Sequence, residues 1–530
     1  MEKTKLPTFL IPSRKLYPRA HETQLPVSHP SVRGPRRNFL IAALKNFLLL
    51  QILFLGLFAY IFGALFQQGD RVHFLDVAFV DFDGGVVGES VRGAYEGLRG
   101  EGFVNLVERE RSEVGELRGE VCGGGYWAVF SVERGASERV EGGLRGDVYD
   151  RGGVMSYTWN EALYSSVVDS AIAANLQSLA DEARVIYSQG NFSDIPLTSQ
   201  SISVFADPWH LRSINIQPTT QGSRAIYNTL VIILILIQEF FYLGTINSLY
   251  DSFKIYTRLN PHRIITFRFL LSLAYCLIGS LCVTASIWAF KAGWSVNTAQ
   301  FFLTWAALWI FAHLNFLTFD VFTVWLPLPF VPMALITWVI LNVTSILLPF
   351  ELSSPFYRWG YAMPAHEVYQ VLVDVWSGGC NPTLRYSMPI LFAYELSGLF
   401  LSGLGVHRRC HFAVIREENE KAVFQAKIEA ALGFERGRRG ESMSGGRDEG
   451  ANLDTDGGKG ESAEGNGGLQ GDQEAERDDT TEEREMEREE LSEVIERETT
   501  RVRREQSRSG GKPVDFGPSF GFRFGTGDES

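Results

Sequence analysis

Residues 46–66 read NFLLLQILFLGLFAYIFGALF, an apolar run without a single charged side chain. A helix of roughly 20 apolar residues is long enough to cross the hydrocarbon core of a bilayer. The run is too long, and too far from Met1, for a secretory signal peptide. It therefore predicts a first membrane span that acts as a signal anchor.

Further apolar segments follow after a long polar-to-mixed stretch. They predict five more spans at residues 225–246, 269–290, 301–319, 330–350 and 389–406. The fold class expected from this pattern is an α-helical six-span membrane bundle in a 1 + 5 arrangement, with a small α/β extracytoplasmic domain between spans one and two.

The predicted organisation divides the chain into six parts. They are a basic cytoplasmic N-tail (1–45), span one (46–66), the extracytoplasmic α/β domain (67–224), a membrane domain with five spans (225–406), a juxtamembrane segment (407–433) and a disordered acidic cytoplasmic tail (434–530). The tail is predicted to be disordered because it is rich in Gly, Ser, Glu and Arg and has few apolar residues to bury.

Charge asymmetry predicts the orientation. Lysine and arginine are concentrated before span one, between spans two and three, and after span six. Basic loops stay on the cytoplasmic side, so both termini are expected to be cytoplasmic. The net charge is −13, and no folded part has a basic surface, which argues against a nucleic-acid partner.

Alternation of apolar strands with amphipathic helices predicts the α/β domain. Strands are expected at 73–83, 103–107 and 125–132, and helices at 87–98, 112–121, 137–144 and 161–187. After span five, the aromatic segment 351–388 is expected to lie in the membrane interface, with a short helix from about Pro364 to Val375.

Asp81 and Asp83, followed by Gly84, end the first predicted strand. Such a pair can hold a metal or a phosphate in some enzymes, but the residues that would complete those patterns are missing here. The favoured interpretation is a polar turn whose carboxylates accept hydrogen bonds from the following backbone N–H groups. We expect no catalytic residue, metal or cofactor, and no ATPase motif is present, so the chain is not expected to be an enzyme.

Other candidate residues lie on the predicted outer side and inside the spans. Cys122 and Cys380 are the two cysteines of the outer side, where a disulfide or two free thiols are both open. Asn191 begins an Asn-Phe-Ser glycosylation site. Glu239 and Glu395 lie within spans two and six, as substrate-path carboxylates or as groups hydrogen-bonded to a neighbouring helix.

Two motifs carry a resemblance to a known family. They are Val80-Asp-Phe-Asp-Gly-Gly-x-x-Gly88 and Arg358-Trp-Gly-Tyr361-Ala-Met-Pro364-x-His366. With the 1 + 5 arrangement, they resemble the fungal nitrosoguanidine-resistance membrane proteins, whose layout is similar to ABC-2-type permeases. The resemblance gives no role to Arg358, Tyr361, Pro364 or His366.

The resemblance implies a plasma-membrane protein linked to resistance to toxic compounds. Efflux or transport of amphipathic small molecules is the function expected first, without an ATPase of its own. The alternative is a non-transporting membrane regulator of phospholipid distribution or of the stress response. The bilayer is the expected partner, and the cytoplasmic tail is a possible site for protein partners.

Overall fold

The computed structural model describes residues 30–111, 117–190, 198–219 and 230–444. The glycosylation predicted at Asn191, the start of the helix predicted at 112–121 and residues 445–530 of the predicted tail lie outside the described residues. The chain divides into two compact units. Unit 1 comprises Met1–Ile237, Cys276–Asn315 and Leu326–Ser397, and unit 2 comprises Gln238–Tyr275, Phe316–Trp325 and Gly398–Ser530.

The secondary structure combines long helices with one small sheet. In chain order, the helices are α1 (Pro30–Leu65), α2 (Val86–Leu98), α3 (Leu117–Cys122), α4 (Ala136–Arg145), α5 (Ser165–Val168), α6 (Ala174–Ser188), α7 (Ser199–Ala206), α8 (Val231–Ser252), α9 (Ile255–Arg258), α10 (Pro261–Ala289), α11 (Thr298–Trp325), α12 (Val331–Leu347), α13 (Pro364–Trp376) and α14 (Leu384–Ser444). The strands are β1 (Asp76–Asp81), β2 (Asn105–Glu108), β3 (Ala128–Val132), β4 (Met155–Trp159) and β5 (Leu211–Asn215).

Five of the described helices, α1, α8, α10, α11 and α14, are long and apolar enough to cross a membrane. The chain is therefore a membrane protein. Helix α12 coincides with the fifth predicted span, but its 17 residues make it shorter than the other five. It ends before Pro349, because the residue that precedes a proline is disfavoured in the α conformation.

Several helices extend beyond the predicted spans. Helix α10 begins at Pro261 rather than at residue 269, α11 continues to Trp325 rather than ending at 319, and α14 continues to Ser444 rather than ending at 406. The predicted ends follow hydropathy alone, whereas residues 416–432 are rich in Glu, Lys and Ala, which are strong helix formers. The predicted juxtamembrane segment is thus a continuation of the last helix, and so are residues 434–444, where the disordered tail was expected to begin.

The five strands form one mixed sheet in the order β2-β1-β3-β4-β5. Strand β1 pairs in parallel with both β2 and β3, β3 pairs antiparallel with β4, and β4 pairs in parallel with β5. Val77 lies opposite Ala128, and Phe130 lies opposite Tyr157. The interior strands β1 and β3 are buried on both faces, which explains their continuous apolar runs.

The predicted strands at 73–83, 103–107 and 125–132 correspond to β1, β2 and β3, while β4 and β5 were not predicted. Strand β5 carries Arg212, Ser213 and Asn215, residue types that are not favoured in strands, and much of it is exposed at the sheet edge. Its pairing with β4 is therefore set by tertiary contacts and not by local preference.

Helix α13 forms close to the residues predicted for it. Pro364 occupies its first turn, where a proline costs no hydrogen bond, and Gly378 and Gly379 adopt positive φ after its end. The helix is buried within unit 1 along most of its length, including Val368 and Leu372. It is therefore a core helix of unit 1 and does not have the exposed face of a segment that lies in a membrane interface.

Hydrogen bonds from Asp81 and Asp83 hold the turn after β1. Asp81 Oδ1 accepts from the backbone N–H groups of Asp83 (3.0 Å) and Gly84 (2.8 Å), and its Oδ2 lies 3.0 Å from an Arg92 nitrogen. Asp83 Oδ2 accepts from the Ser137 hydroxyl at 2.5 Å. Gly84 adopts φ +69°, a conformation that glycine reaches without steric cost. Both carboxylates thus stabilise the fold locally.

Gly88 tests this role of Asp81. A methyl group at Gly88 would meet the Asp81 carboxylate, which cannot move without losing its hydrogen bonds. We expect Gly88→Ala to destabilise the protein by about 1–3 kcal/mol. Gly97 lies in the same helix with open space around it, so Gly97→Ala should be neutral or stabilise by about 0.4–1 kcal/mol. Thermal unfolding of the detergent-solubilised protein checks this, and equal midpoints for the two variants would contradict it.

Candidate functional site

A cavity of about 620 Å³ opens inside unit 1. Its walls come from the start of β1, the segments 124–127 and 160–164, the segment 349–351 that follows α12, helix α13, and residues 380–390. The site therefore joins the domain that carries the sheet to the chain around α13. These segments are far apart in sequence, and the fold alone brings them together.

The motif singled out in the sequence contributes directly to this cavity. Tyr361 and His366 line it, as does Glu367 beside them. Pro364 is buried and begins α13, whereas Arg358 is exposed and is not among the lining residues. The start of α13 thus places His366 and Gln370, one helical turn apart, on the face that meets the cavity.

His366 belongs to a chain of hydrogen bonds along the wall. Its Nδ1 lies 3.0 Å from Glu367 Oε1, and its Nε2 lies 3.3 Å from the amide nitrogen of Gln370. The Gln370 side-chain oxygen accepts from Asn381 at 2.8 Å. Because an amide nitrogen only donates, His366 Nε2 must accept, and Nδ1 is left to donate to Glu367. This pattern describes a neutral imidazole beside a carboxylate.

Tyr369 links α13 to the loop after β4. Its hydroxyl accepts from the Tyr164 backbone N–H at 2.7 Å and donates to the Ala162 carbonyl at 3.2 Å. Burial raises the pKa of the Tyr369 hydroxyl, so it remains a neutral donor and acceptor at physiological pH. Tyr164 itself adopts φ +51°, an uncommon conformation for a residue other than glycine. The Tyr369 hydroxyl fixes the backbone at this point.

A disulfide makes a second connection between the α/β domain and the chain around α13. Cys122 at the end of α3 and Cys380 after α13 are bonded, with their Cα atoms 4.3 Å apart and 258 residues between them in sequence. The sequence was compatible with this disulfide and with two free thiols, and the structure contains the disulfide. Nearby, Gly124 approaches Pro382 so closely that an added methyl group would lie 2.8 Å from its ring. The two walls are therefore in tight contact at the bridge.

Neither carboxylate predicted for the spans lines this cavity. Glu395 Oε1 lies 2.6 Å from Nδ1 of His313 on α11, and the His313 side chain is almost completely buried. Glu239 is completely buried in unit 2. The sequence analysis did not include His313, although a histidine in an apolar span is as informative as a carboxylate.

Unit 2 contains a buried ionic cluster that the sequence analysis did not find. Asp320 Oδ1 lies 2.6 Å from Arg268 and 2.8 Å from Arg409, and Asp320 Oδ2 accepts from the Ser402 hydroxyl at 2.5 Å. Asn247 Oδ1 accepts from both guanidinium groups, at 2.7 Å each. The predicted span 269–290 begins just after Arg268, and the predicted spans 301–319 and 389–406 end before Asp320 and Arg409. In the structure, each of these three residues lies within a long helix.

The helices and the sheet define the class: a multi-helix membrane protein with an α/β domain and a cavity between that domain and the chain around α13. Residues 46–399 match a family model described as "Protein of unknown function (DUF3533)", and the chain belongs to this family. The matched range contains every residue that lines the cavity, whereas Arg409 lies beyond it. No solved structure matches the chain.

Asp320 should be the most sensitive residue of unit 2. Asp320→Asn removes the negative charge that the buried Arg268 and the partly buried Arg409 share, and breaking a buried ion pair costs about 3–5 kcal/mol. Asp251→Asn is the matched control, because Asp251 is exposed and its contact with Arg416 is a surface pair. We expect Asp320→Asn to lower the yield of monodisperse protein and its unfolding temperature sharply. A result for Asp320→Asn that equals the control would contradict this role.

Proposed function

We propose that this chain is a transport protein that moves amphipathic small molecules out of the cell and so contributes to resistance to toxic compounds. The cavity of unit 1 carries this proposal. Its volume of about 620 Å³ lies within the roughly 300–1,000 Å³ range of small-molecule sites. The resemblance of the Tyr361–His366 motif to the nitrosoguanidine-resistance proteins supports it, because both motif residues line that cavity.

The chemistry of the walls suits an amphipathic molecule. Aromatic rings of Trp127 and Phe350 provide apolar surface, while the side chains of Asn160 and Gln370 provide hydrogen-bonding groups. A small-molecule site of this kind combines a largely apolar lining with a few polar groups that fix orientation. A ligand with one apolar and one polar part would use both.

The proposed topology has six spans, with α12 as the fifth. Its 17 residues lie at the lower end of the roughly 17–25 that suffice for a span. An even number of spans puts both termini on the same side of the membrane, and the basic segments beside the spans favour the cytoplasmic side for them, with the α/β domain outside the plasma membrane. The disulfide between Cys122 and Cys380 supports this side, because such bonds persist in oxidising compartments.

Glu239 and Glu395 are proposed to lie along the path that a transported molecule takes through the helices. Ionisable groups inside apolar helices are costly to bury and are commonly functional. Glu395 Oε1 lies 2.6 Å from His313 Nδ1, so an acidic group of α14 and an imidazole of α11 meet inside the apolar helices. The chain has no nucleotide-binding motif, so a proton or a partner chain would supply the energy.

A cavity-filling variant tests the proposal. Gly125 lines the cavity and has open space around it, so Gly125→Trp should fill the cavity without disturbing the fold. Gly102→Trp is the matched control, because Gly102 is also exposed with open space but lies away from the cavity. The measurement is the cellular content of fluorescent amphipathic compounds, both charged and neutral, in cells that display equal surface amounts of each protein.

We expect lower accumulation of at least one compound with the wild-type protein and with Gly102→Trp, and no reduction with Gly125→Trp. Equal accumulation in all cells, including cells without the protein, would reject efflux. Phospholipid exposure is measured on the same cells. A change there without any change in accumulation would support the alternative of a regulator of phospholipid distribution.

A further inference from the structure

We propose that the cavity of unit 1 selects organic cations, in particular ammonium groups that carry apolar substituents. The inference deepens the proposed function and rests on it only in taking this cavity as the ligand site. It follows from the charge of the lining, from its aromatic rings and from one buried hydroxyl group.

The lining is acidic. Asp76 at the start of β1, Glu351 after α12 and Glu367 in α13 all contribute to it, and no lysine or arginine is among the residues that line it. His366 is the one side chain of the lining that can carry a positive charge, and its hydrogen bonds describe a neutral ring. The cavity therefore holds three carboxylates without a fixed cation.

Two of these carboxylates, those of Glu367 and Asp76, have partners other than lysine or arginine among the described residues. Glu367 is almost completely buried and pairs with His366, and Asp76 accepts from the Asn105 amide at 2.7 Å. A buried carboxylate without a cationic partner is expensive, because its charge is taken out of water. The amino-terminal position of Glu367 in α13 offsets part of this cost through the helix dipole. A bound cation would offset more of the free-energy cost of burying this carboxylate than the helix dipole does.

Aromatic rings line the same cavity as the carboxylates. The rings of Phe350 and Tyr361 lie 4.4 Å apart between centroids, and those of Trp127 and Tyr164 lie 6.3 Å apart. The faces of aromatic rings attract cations, and cages of such rings recognise quaternary ammonium groups. Acidic groups and aromatic faces together favour a cation with organic substituents over an anion or a neutral molecule of the same shape.

Tyr164 provides the most specific observation. Its side chain is about 5% exposed and lines the cavity, yet its hydroxyl has no hydrogen-bond partner among the described residues. Burial raises the pKa of Tyr164 well above its usual value, so the hydroxyl stays neutral. A buried polar group without a partner is costly. An ammonium N–H could donate to this hydroxyl oxygen.

The geometry favours an organic cation over a bare metal ion. Among the residues that the structure describes, no group of three or more His, Cys, Asp or Glu is placed to hold a metal. The volume is also far larger than a single ion requires. The same ammonium chemistry is found in free amines and in choline or ethanolamine lipid headgroups, and competition experiments separate these two sources.

The primary test compares two ions of the same shape and opposite charge. Full-length protein in micelles of a non-ionic detergent, whose surface carries no charge, is titrated with tetraphenylphosphonium and with tetraphenylborate, and binding is measured with radiolabelled probe. The same titration of Gly125→Trp corrects for dissolution of the probe in the detergent. We expect the cation to bind at least about tenfold more tightly than the anion. Equal or tighter binding of the anion would overturn the inference.

Two variants locate the interaction. Glu367→Gln should weaken tetraphenylphosphonium binding about tenfold or more, with Glu351→Gln as the second variant if the first does not fold. Tyr164→Phe should weaken benzylammonium but leave benzyltrimethylammonium unchanged, because only the first has an N–H to donate. If both carboxylate variants bind as the wild type does, the cavity does not select by charge and the inference fails.

Further outcomes separate the inference from the proposed function. If the cation, the anion and a neutral triphenylphosphine oxide all bind equally and Gly125→Trp blocks all three, the cavity binds amphipathic molecules and only the charge selection fails. If none binds, both fail. Competition by short-chain phosphatidylcholine, with no competition by tetraethylammonium, would assign the site to a lipid headgroup. Competition by tetraethylammonium, with no competition by short-chain phosphatidylcholine, would assign the site to free amines.

Discussion

The disulfide between Cys122 and Cys380 is the constraint on which the site depends. It ties the end of α3 to the chain after α13, across 258 residues of sequence, and the Tyr369 hydroxyl makes a second tie to the loop at Tyr164. Together these two links hold the opposite walls of the cavity. Without them, the site would depend on packing and on weaker contacts, such as the 3.4 Å hydrogen bond from Asn160 to the Cys380 carbonyl, and the position of His366 against the sheet domain would be less well defined.

The two units differ in the partners that their buried carboxylates have. In unit 2, the Asp320 carboxylate contacts the guanidinium groups of both Arg268 and Arg409, so its charge has cationic partners within the protein and the cluster stabilises the fold. In the cavity of unit 1, Glu367 has a neutral imidazole as its partner, and no arginine or lysine lines the site. A protein that pairs one buried carboxylate so completely and leaves others without a cation points to a ligand that brings the missing charge.

The sequence was sufficient where structure follows local pattern. Apolar runs located the long helices, alternation of apolar and amphipathic segments located β1, β2 and β3, and Pro364 marked the start of α13. Hydropathy could not locate the helix ends, so it placed Arg268, Asp320 and Arg409 outside the spans. Tyr361 and His366 were selected by resemblance, but Asp76, Tyr164 and Glu351 carry no local signal. They meet because of the sheet order and the disulfide, which are long-range features.

The most direct test of this account is peptide mapping of the disulfide by mass spectrometry. The full-length membrane protein is alkylated under denaturing conditions without reduction and then digested. We predict one peptide pair joined through Cys122 and Cys380 that separates on reduction, while the free thiols Cys276, Cys282 and Cys410 are alkylated from the start. Alkylation of both Cys122 and Cys380 before reduction would contradict the account, since the two walls of the cavity would then lack the bond that holds them together.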